Sequence, residues 1–420
     1  MINQTILDNG IRIITEQIPV AHSVSLGAWV TTGSRYEDAA LSGISHFVEH
    51  MYFKGTEQRS ARQIALEIDA VGGLLNAFTS HEYCCYYAKV LSHNLPLATD
   101  LISDILLNSV FSLDDIEKER RVILNEIAMV EDTPDDQVHE LFSQMFWQGN
   151  SLGQPILGSR DSVSRFSRAS ILEFVKEAYC GNNLMITAAG NLEHQAVVDQ
   201  VAERFAKVKP GRKPASVKAP EYRGGVDVRK RQLEQVHVCL GTKGLPQSHP
   251  DRFVIYFLNT ILGGSMSSRL FQAIREERGL AYSIYSYLHS HSDAGALIVY
   301  AGTPPEDAYD VVALILRELH ETSHSLVPDE EFAAAREQLK GNLLLSLEST
   351  ENRMTRLAKN EIYLGKQPSI EESIDGIDKV TPEDVRTLAS ELFHDKYLTL
   401  QMLGTPDDAD FSILDLTVNE

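Results

Sequence analysis

The chain has 420 residues, of which 43% are hydrophobic and 23% are charged. This composition is typical of globular proteins and excludes disorder, collagen-like repeats and low-complexity sequence, while the length predicts more than one domain. With 38 basic and 59 acidic residues, the formal net charge is −21, which argues against a basic surface for nucleic acid.

Strands are predicted where apolar and polar residues alternate or where β-branched and aromatic residues dominate. In the first part of the chain they cover residues 10–18, 23–32, 74–79, 83–91 and 184–189. In the second part they cover residues 236–242, 283–289, 296–301 and 398–403. Helical periodicity is clearest at 114–131, 171–179 and 329–347. Hairpins mixed with long helices predict α+β sheets with helices on one face.

A segment rich in Pro, Gly and Lys at 209–225 lies close to the midpoint of the chain. We interpret it as a linker between an N-terminal half, 1–208, and a C-terminal half, 226–420. The sequences VSLG at 24–27 and VCLG at 238–241 occupy similar places near the start of each half. Because one long repeat is typical of duplication and not of a solenoid, we expect two homologous halves.

Targeting and redox signals are weak. The N-terminus has no basic segment that leads into an apolar run, and no apolar stretch reaches about 18 residues, so we predict neither a secretory signal nor a transmembrane span. The chain has four cysteines: Cys84, Cys85, Cys180 and Cys239. Two adjacent and two distant cysteines match neither a disulfide framework nor a zinc finger. They are interpreted as buried or half-buried thiols, which is typical of the cytoplasm.

The strongest chemical signal lies at residues 43–55, where a helix with one apolar face is predicted. His46 and His50 are four residues apart on this helix, so their imidazoles project from the same side. Two neutral histidines need this spacing to bind one tetrahedral zinc ion. Glu49 lies beside them, where a carboxylate can accept the proton of a metal-activated water. An ordinary helix with two unliganded histidines is the alternative.

A catalytic zinc site usually has three protein ligands. The predicted helix at 114–131 offers Glu119 and Glu126, which are seven residues apart and therefore share a face. Spacing alone leaves the choice between them open, and a solvated acidic face is the alternative interpretation.

These residues resemble the inverted zincins of the pitrilysin, insulysin and mitochondrial processing peptidase family. The resemblance rests on HFVEH at 46–50 followed by Glu126, together with several flanking sequences. These are GSRYE at 33–37, MYFKGT at 51–56, GGLLNAFT at 72–79, VILNEI at 122–127 and AGN at 189–191. It covers the whole chain, whose length is that of the short, bacterial processing-peptidase-like branch.

The resemblance implies a role for each residue of the histidine motif. His46, His50 and Glu126 are expected to bind one zinc ion per chain, and Glu49 is expected to be the general base. Glu119 matches a second acidic position, which supports catalysis from beside the ligands.

The strand that contains Asn76, Ala77 and Phe78 resembles the family's edge strand, which pairs with the substrate backbone. Such pairing gives affinity with little sequence selectivity, and a buried hairpin is the alternative. After the hairpin turn this chain has Cys84 and Cys85 where the family often has a threonine, a departure that does not touch a ligand.

The second half lacks a histidine pair at the matching helix, so we expect no zinc there. Arg275 and Tyr282, seven residues apart, resemble the arginine and tyrosine that the family places opposite the zinc. A guanidinium and a phenol can bind the substrate backbone and stabilise an oxyanion. Arg278 is a competing arginine, and a surface arginine with a core tyrosine is the alternative.

The sequence thus predicts a cytoplasmic zinc endopeptidase for peptides or unfolded segments. The expected fold is α+β, with two homologous halves, each a mostly antiparallel sheet covered by helices, in a clam-shell arrangement. The resemblance to short-chain members implies a homodimer in which the two subunits share each site. Two alternatives remain: a non-catalytic, core-protein-like binding or structural member of the family, and a zinc hydrolase for non-peptide substrates.

Overall fold

The computed structural model describes residues 1–407 and Val418, and its eleven described strands form two sheets. The strands are β1 Ile2–Ile6, β2 Arg12–Gln17, β3 Ser23–Val30, β4 Leu74–Thr79, β5 Cys84–Leu91, β6 Leu184–Gly190, β7 Gly225–Arg229, β8 Val236–Lys243, β9 Ser283–Ser290, β10 Gly295–Thr303 and β11 Thr399–Leu403. Residues 407–420 include several acidic residues and are predicted from the sequence to form a solvated tail; they fall almost entirely outside the described residues.

The helices are α1 Ile44–Tyr52, α2 Ala61–Ala70, α3 Leu95–Asn108, α4 Leu113–Asp132, α5 Pro134–Phe146, α6 Arg160–Arg165, α7 Arg168–Ala178, α8 His194–Arg204, α9 Arg252–Gly263, α10 Ala308–His324, α11 Asp329–Ser346, α12 Thr350–Leu364, α13 Ile370–Asp378 and α14 Pro382–Leu392. A π-helical turn covers Phe271–Glu276. Within residues 1–407, no helix combines the length and apolar character needed to cross a membrane.

The two sheets share one topology. The first has the strand order β1-β2-β6-β3-β5-β4, and the second has β7-β11-β8-β10-β9. Without β1, the orders correspond strand for strand, and in both sheets the pair at the same place (β2 with β6, β7 with β11) is the parallel one. The predicted pair of similar, mostly antiparallel sheets is therefore confirmed.

Strands β1 and β7 are missing from the sequence prediction. Among the described strands, each lies at the edge of its sheet and pairs with one neighbour only. Their residues are mostly half-buried, so the hydrophobic alternation that reveals a strand is weak in both.

The chain packs into two units that interleave along the sequence. Unit 1 contains Met1–Met129, Gln154–Lys218 and Leu345–Gln367; unit 2 contains Val130–Gly153, Ala219–Leu344 and the chain from Pro368 onward. Each unit therefore includes one helical segment from the other side of the predicted linker, α12 in unit 1 and α5 in unit 2. The sequence-based division at 209–225 stays a prediction.

In unit 1, the central strand β3 packs helices on both of its faces. Val24, Leu26 and Ala28 belong to the larger core with α1, α3 and α8. Trp29 points to the opposite face and packs against Met354 of α12. The expectation of helices on one face only is therefore wrong.

Unit 2 repeats this two-sided arrangement. One face of β8 packs in a core with α9, α10 and α14, and the other face packs against α5. The sequence prediction missed this layer because α5 and α12 come from distant parts of the chain. All four cysteines are buried and unpaired, as predicted.

The repeated VSLG and VCLG sequences now have a structural explanation. A Cβ atom on Gly27 would lie 2.8 Å from Sδ of Met354 on α12, and one on Gly241 would meet the ring of Phe142 on α5. Each glycine therefore lets the helix on the second face approach its sheet closely.

We predict that Gly241→Ala destabilises the protein by about 1–3 kcal/mol, because the added methyl overlaps a buried ring that cannot withdraw. Gly341→Ala is the matched control: it lies in α11 with no heavy atom within 4 Å of the new Cβ, so its stability should be equal to or above wild type. Calorimetric unfolding measures both. Combining Gly241→Ala with Phe142→Leu should restore part of the lost stability, because the smaller side chain makes room for the methyl group. An unaltered unfolding midpoint for Gly241→Ala alone would contradict close packing of Phe142 against Gly241.

Candidate active site

Helix α1 is short, and its position is fixed at both its start and its apolar face. Gly43 precedes it with φ 92°, a left-handed conformation that glycine adopts without steric cost. The buried carboxylate of Glu37 accepts the N–H groups of Gly43 and Ser45, each at 2.7 Å. Burial raises the pKa of Glu37 to about 7, although these two donors act against the rise. The capped helix thus starts at a defined place.

The apolar face of α1 packs into the core of unit 1. Its side chains are essentially fully buried: Ile44, Phe47, Val48 and Met51. Because this face points inward, His46 and His50 are carried on the face beside it, where their ring centroids lie 4.6 Å apart. Burial, with a smaller effect of His50, lowers the pKa of His46 to about 4. This imidazole is therefore neutral, as a metal ligand must be.

Helix α4 brings Glu126 to the histidine pair. Oε2 of Glu126 lies 3.8 Å from Nε2 of His46 and 3.6 Å from Nε2 of His50. These distances are too long for hydrogen bonds. Ligand atoms around one tetrahedral zinc ion, each about 2.0–2.1 Å from the metal, lie roughly 3.4 Å apart.

The polar atoms at this point fit a bound cation. Oε2 of Glu126 is buried and has no hydrogen-bond partner within the described part of the chain. One ligand atom from each of His46, His50 and Glu126 lies within 4.8 Å of the others, and no other group of three or more His, Cys, Asp or Glu residues does so within residues 1–407. An unpaired carboxylate oxygen that faces two imidazole nitrogens matches the nitrogen and oxygen donor set of zinc.

Glu119 contacts the site from the other side of His50. Its Oε2 accepts Nδ1–H of His50 at 3.1 Å, and its Oε1 pairs with Nζ of Lys54 at 2.8 Å. Since Nδ1 of His50 carries the proton, its Nε2 presents a lone pair toward Glu126. The structure thus brings Glu126, and not Glu119, to the two Nε2 atoms, a choice that spacing left open.

Glu49 lies on α1 between the two histidines. Its carboxylate is hydrogen-bonded by a residue that the sequence analysis did not identify as part of the site. Thr79, the last residue of β4, donates its hydroxyl to Oε2 of Glu49 at 2.5 Å. Burial raises the pKa of Glu49, while this hydrogen bond acts against the rise. One sequence feature could have identified Thr79. It is a polar residue at the end of a strand, on the same strand face as Leu75 and Ala77, and these two residues pack against the core.

Strand β4, which carries Asn76, Ala77 and Phe78, lies at the edge of the first sheet. It pairs with β5 on one side only, as the resemblance to a substrate-pairing strand requires. Phe78 is anchored by edge-on packing against Trp29 at 5.8 Å. Asn76 is exposed, and its Oδ1 accepts the backbone N–H of Ala77.

In unit 2, the π-helical turn places Arg275 between two aromatic rings. Its guanidinium carbon lies 4.9 Å from the ring centre of Tyr282 and 4.7 Å from that of Phe271. Tyr282 is 75% exposed. Arg278 instead donates to the carbonyl oxygen of Ala273 at 2.9 Å. The structure therefore joins Arg275, and not Arg278, to Tyr282, and it adds Phe271 to the pair.

Comparisons with known proteins cover nearly the whole chain. Residues 12–160 match the family model of insulinase (peptidase family M16), and residues 165–339 match that of the peptidase M16 inactive domain. The uncharacterized zinc protease YmxG of Bacillus subtilis is 42% identical over 397 residues, which are 94% of this chain and 97% of that protein. An uncharacterized zinc protease of Streptomyces coelicolor is 43% identical over 399 residues, which cover 93% of this chain and 87% of that protein.

A solved structure also resembles the fold. The crystal structure of a peptidase M16 inactive domain from Pseudomonas fluorescens superposes with a TM-score of 0.91 at 18% identity, and the match covers 97% of this chain and 99% of that one. At this identity the likeness concerns the fold alone.

The site geometry predicts that Glu126→Gln weakens zinc binding more than Glu119→Gln. The first change removes a charged ligand, whereas the second removes a partner of a ligand, a change that typically costs about 10–100-fold in affinity. Glu117→Gln, on the exposed face of the same helix, serves as the control and should bind zinc like wild type. Competition with a chromophoric chelator gives the three affinities. If Glu119→Gln lost more affinity than Glu126→Gln, the two roles would have to be exchanged.

Proposed function

The chain belongs to the insulinase family of peptidases, peptidase family M16, and we propose that it is a zinc-dependent endopeptidase that hydrolyses peptides or unfolded segments. The convergence of His46, His50 and Glu126 on one point is the observation that carries this proposal, and Glu49 is close enough to interact electrostatically with His50 and Glu126.

In this proposal His46, His50 and Glu126 hold one zinc ion per chain. When bound, zinc supplies Lewis-acid chemistry, which makes water more acidic and a carbonyl carbon more electrophilic. Glu119 keeps the proton of His50 on Nδ1 and so directs Nε2 toward the ligand position.

Glu49 acts as the general base. Its carboxylate accepts the proton of the attacking water and returns it to the nitrogen of the leaving amine. The hydrogen bond from Thr79 occupies Oε2, which leaves Oε1 for proton exchange. Partial burial raises the pKa of Glu49, and this strengthens its carboxylate as a base.

The substrate is expected to pair as an extended strand with β4 at Asn76, Ala77 and Phe78. Support comes from the position of β4 at a sheet edge, where another strand can be added. The N–H of Ala77, which donates to Oδ1 of Asn76, would have to exchange that side chain for the substrate backbone. Arg275 and Tyr282 are assigned to substrate binding and to stabilising the oxyanion. The proximity of the Arg275 guanidinium to the Tyr282 ring and the exposure of Tyr282 support this assignment.

The proposal includes a cytoplasmic homodimer. Four buried, unpaired thiols support a reducing compartment. The dimer is proposed from the resemblance to short-chain members of the family, in which the zinc half and the half with the Arg/Tyr pair that form one site are expected to belong to different subunits. This chain contains both the zinc motif and the Arg275/Tyr282 pair, so two copies could build each site between them.

Glu49→Gln should retain zinc and lose most peptidase activity, by about 10²–10⁴-fold, because it removes the base and no ligand. Glu57→Gln, at an exposed position a short distance beyond α1, is the control and should act like wild type. Cleavage of a quenched-fluorescence peptide library measures activity, and elemental analysis measures zinc. Near wild-type cleavage by Glu49→Gln contradicts the assigned role; zinc binding without any cleavage by wild type favours the non-catalytic alternative.

Sharing of the site between subunits can be tested by mixing Glu49→Gln and Tyr282→Phe proteins under conditions of subunit exchange. If the site forms between subunits, each mixed dimer contains one site with both residues intact, so about a quarter of all sites should recover activity. If each chain builds its own site, the mixture should show only the average of its two parents. Mass spectrometry confirms that subunits have exchanged. Activity no higher than the average of the two parents then rules out a shared site.

A further inference from the structure

The hydrogen bond between Thr79 and Glu49 joins two parts of unit 1 that are far apart in sequence. Thr79 ends β4, and its backbone pairs with that of Cys84 in β5. Its hydroxyl donates to Oε2 of Glu49 on α1 at 2.5 Å and also lies 3.5 Å from Sγ of Cys84. The end of the edge strand therefore contacts the base of the proposed reaction directly.

A glutamate carboxylate needs such a partner to keep one orientation. The last torsion of a glutamate side chain is broad and has no sharp staggered minimum, so packing of α1 fixes the backbone of Glu49 but not the direction of its oxygens. A short hydrogen bond from a hydroxyl to one oxygen removes that freedom. It also leaves Oε1 as the oxygen that is not engaged by Thr79.

We propose that Thr79 is a positioning residue, whose hydroxyl holds one carboxylate oxygen of Glu49 and thereby sets the orientation of the base from the end of the edge strand. The inference rests on the proposed function for its catalytic consequence. Since β4 is also the strand assigned to substrate pairing, one strand fixes both the register of the bound peptide and the direction of the carboxylate. Loss of the Thr79 hydroxyl should therefore lower kcat and leave KM unchanged.

Two substitutions at Thr79 separate the effect of its hydroxyl on catalysis from the effect of its side-chain shape. Thr79→Val keeps the branched side chain and removes the donor, and it should lower kcat by roughly 10–100-fold, the range expected for a misplaced catalytic group. KM and zinc content should stay unchanged. Thr79→Ser keeps the donor and should recover most of the rate.

Thr32 provides the matched control. It is 6% exposed, and its Oγ1 has no hydrogen-bond partner within the described residues. Its carbonyl oxygen accepts the thiol of Cys84, which places it close to Thr79. Thr32→Val should therefore retain wild-type kcat.

A double substitution tests whether Thr79 acts through Glu49. In the Glu49→Gln protein, Thr79→Val should cause no further loss of rate, because the oriented base is already absent. A purely structural role for Thr79 would instead give losses that multiply, together with lower zinc content or thermal stability.

Crystal structures of the zinc-loaded wild type and Thr79→Val proteins give a readout that does not depend on activity. The Glu49 carboxylate should rotate or become disordered in Thr79→Val and keep its place in Thr79→Ser. An unmoved carboxylate, or an unchanged kcat, overturns the inference. If wild type cleaved no peptide, the proposed function would fail, while the position of the carboxylate would still decide whether Thr79 orients Glu49.

Discussion

The packing of the apolar face of α1 is the constraint on which the rest of the site depends. The helix has nine residues, too few to be stable alone, and it gains stability from the burial of one face and from the cap supplied by Glu37. Once that face is buried, His46 and His50 must share the adjacent face one turn apart. The geometry of the histidine pair is thus a consequence of core packing. Helix α4 contributes one further group to the site, the carboxylate of Glu126.

The charges around the site are arranged so that each group has a single role. Burial keeps His46 neutral, and Glu119 keeps the proton of His50 on Nδ1. Lys54 pairs with the other oxygen of Glu119, so that buried carboxylate is satisfied without the metal. Within the described part of the chain, the buried Oε2 of Glu126 has no hydrogen-bond partner. This asymmetry distinguishes two glutamates that lie on one helix face.

The two sheets repeat one topology, and the helices on their second faces, α12 in unit 1 and α5 in unit 2, are what distinguishes the architecture from a simple pair of sheets. The two sheets have matching strand orders, but each unit also includes a helix from across the predicted linker. Gly27 and Gly241 occur at corresponding places because each sheet needs a side-chain-free position where that helix crosses. The same backbone signature therefore persists in both units, whereas the histidine motif is present only in the first.

The sequence by itself determined those features that depend on local periodicity. These include most strands, the amphipathic α1 and the His46–His50 pair, for which alternation or helical spacing suffices. The edge position of the strand at residues 74–79 was expected from the family resemblance and not from periodicity. Helical spacing left the choice between Glu119 and Glu126 open, and the family resemblance implied Glu126; tertiary structure brings Glu126 beside the two Nε2 atoms. Only tertiary structure joined Thr79 to Glu49 and placed α12 and α5 on the second faces of the first and second sheets. The reason is physical: a contact between segments distant in the chain depends on how two elements pack, and periodicity within either element contains no information about its partner.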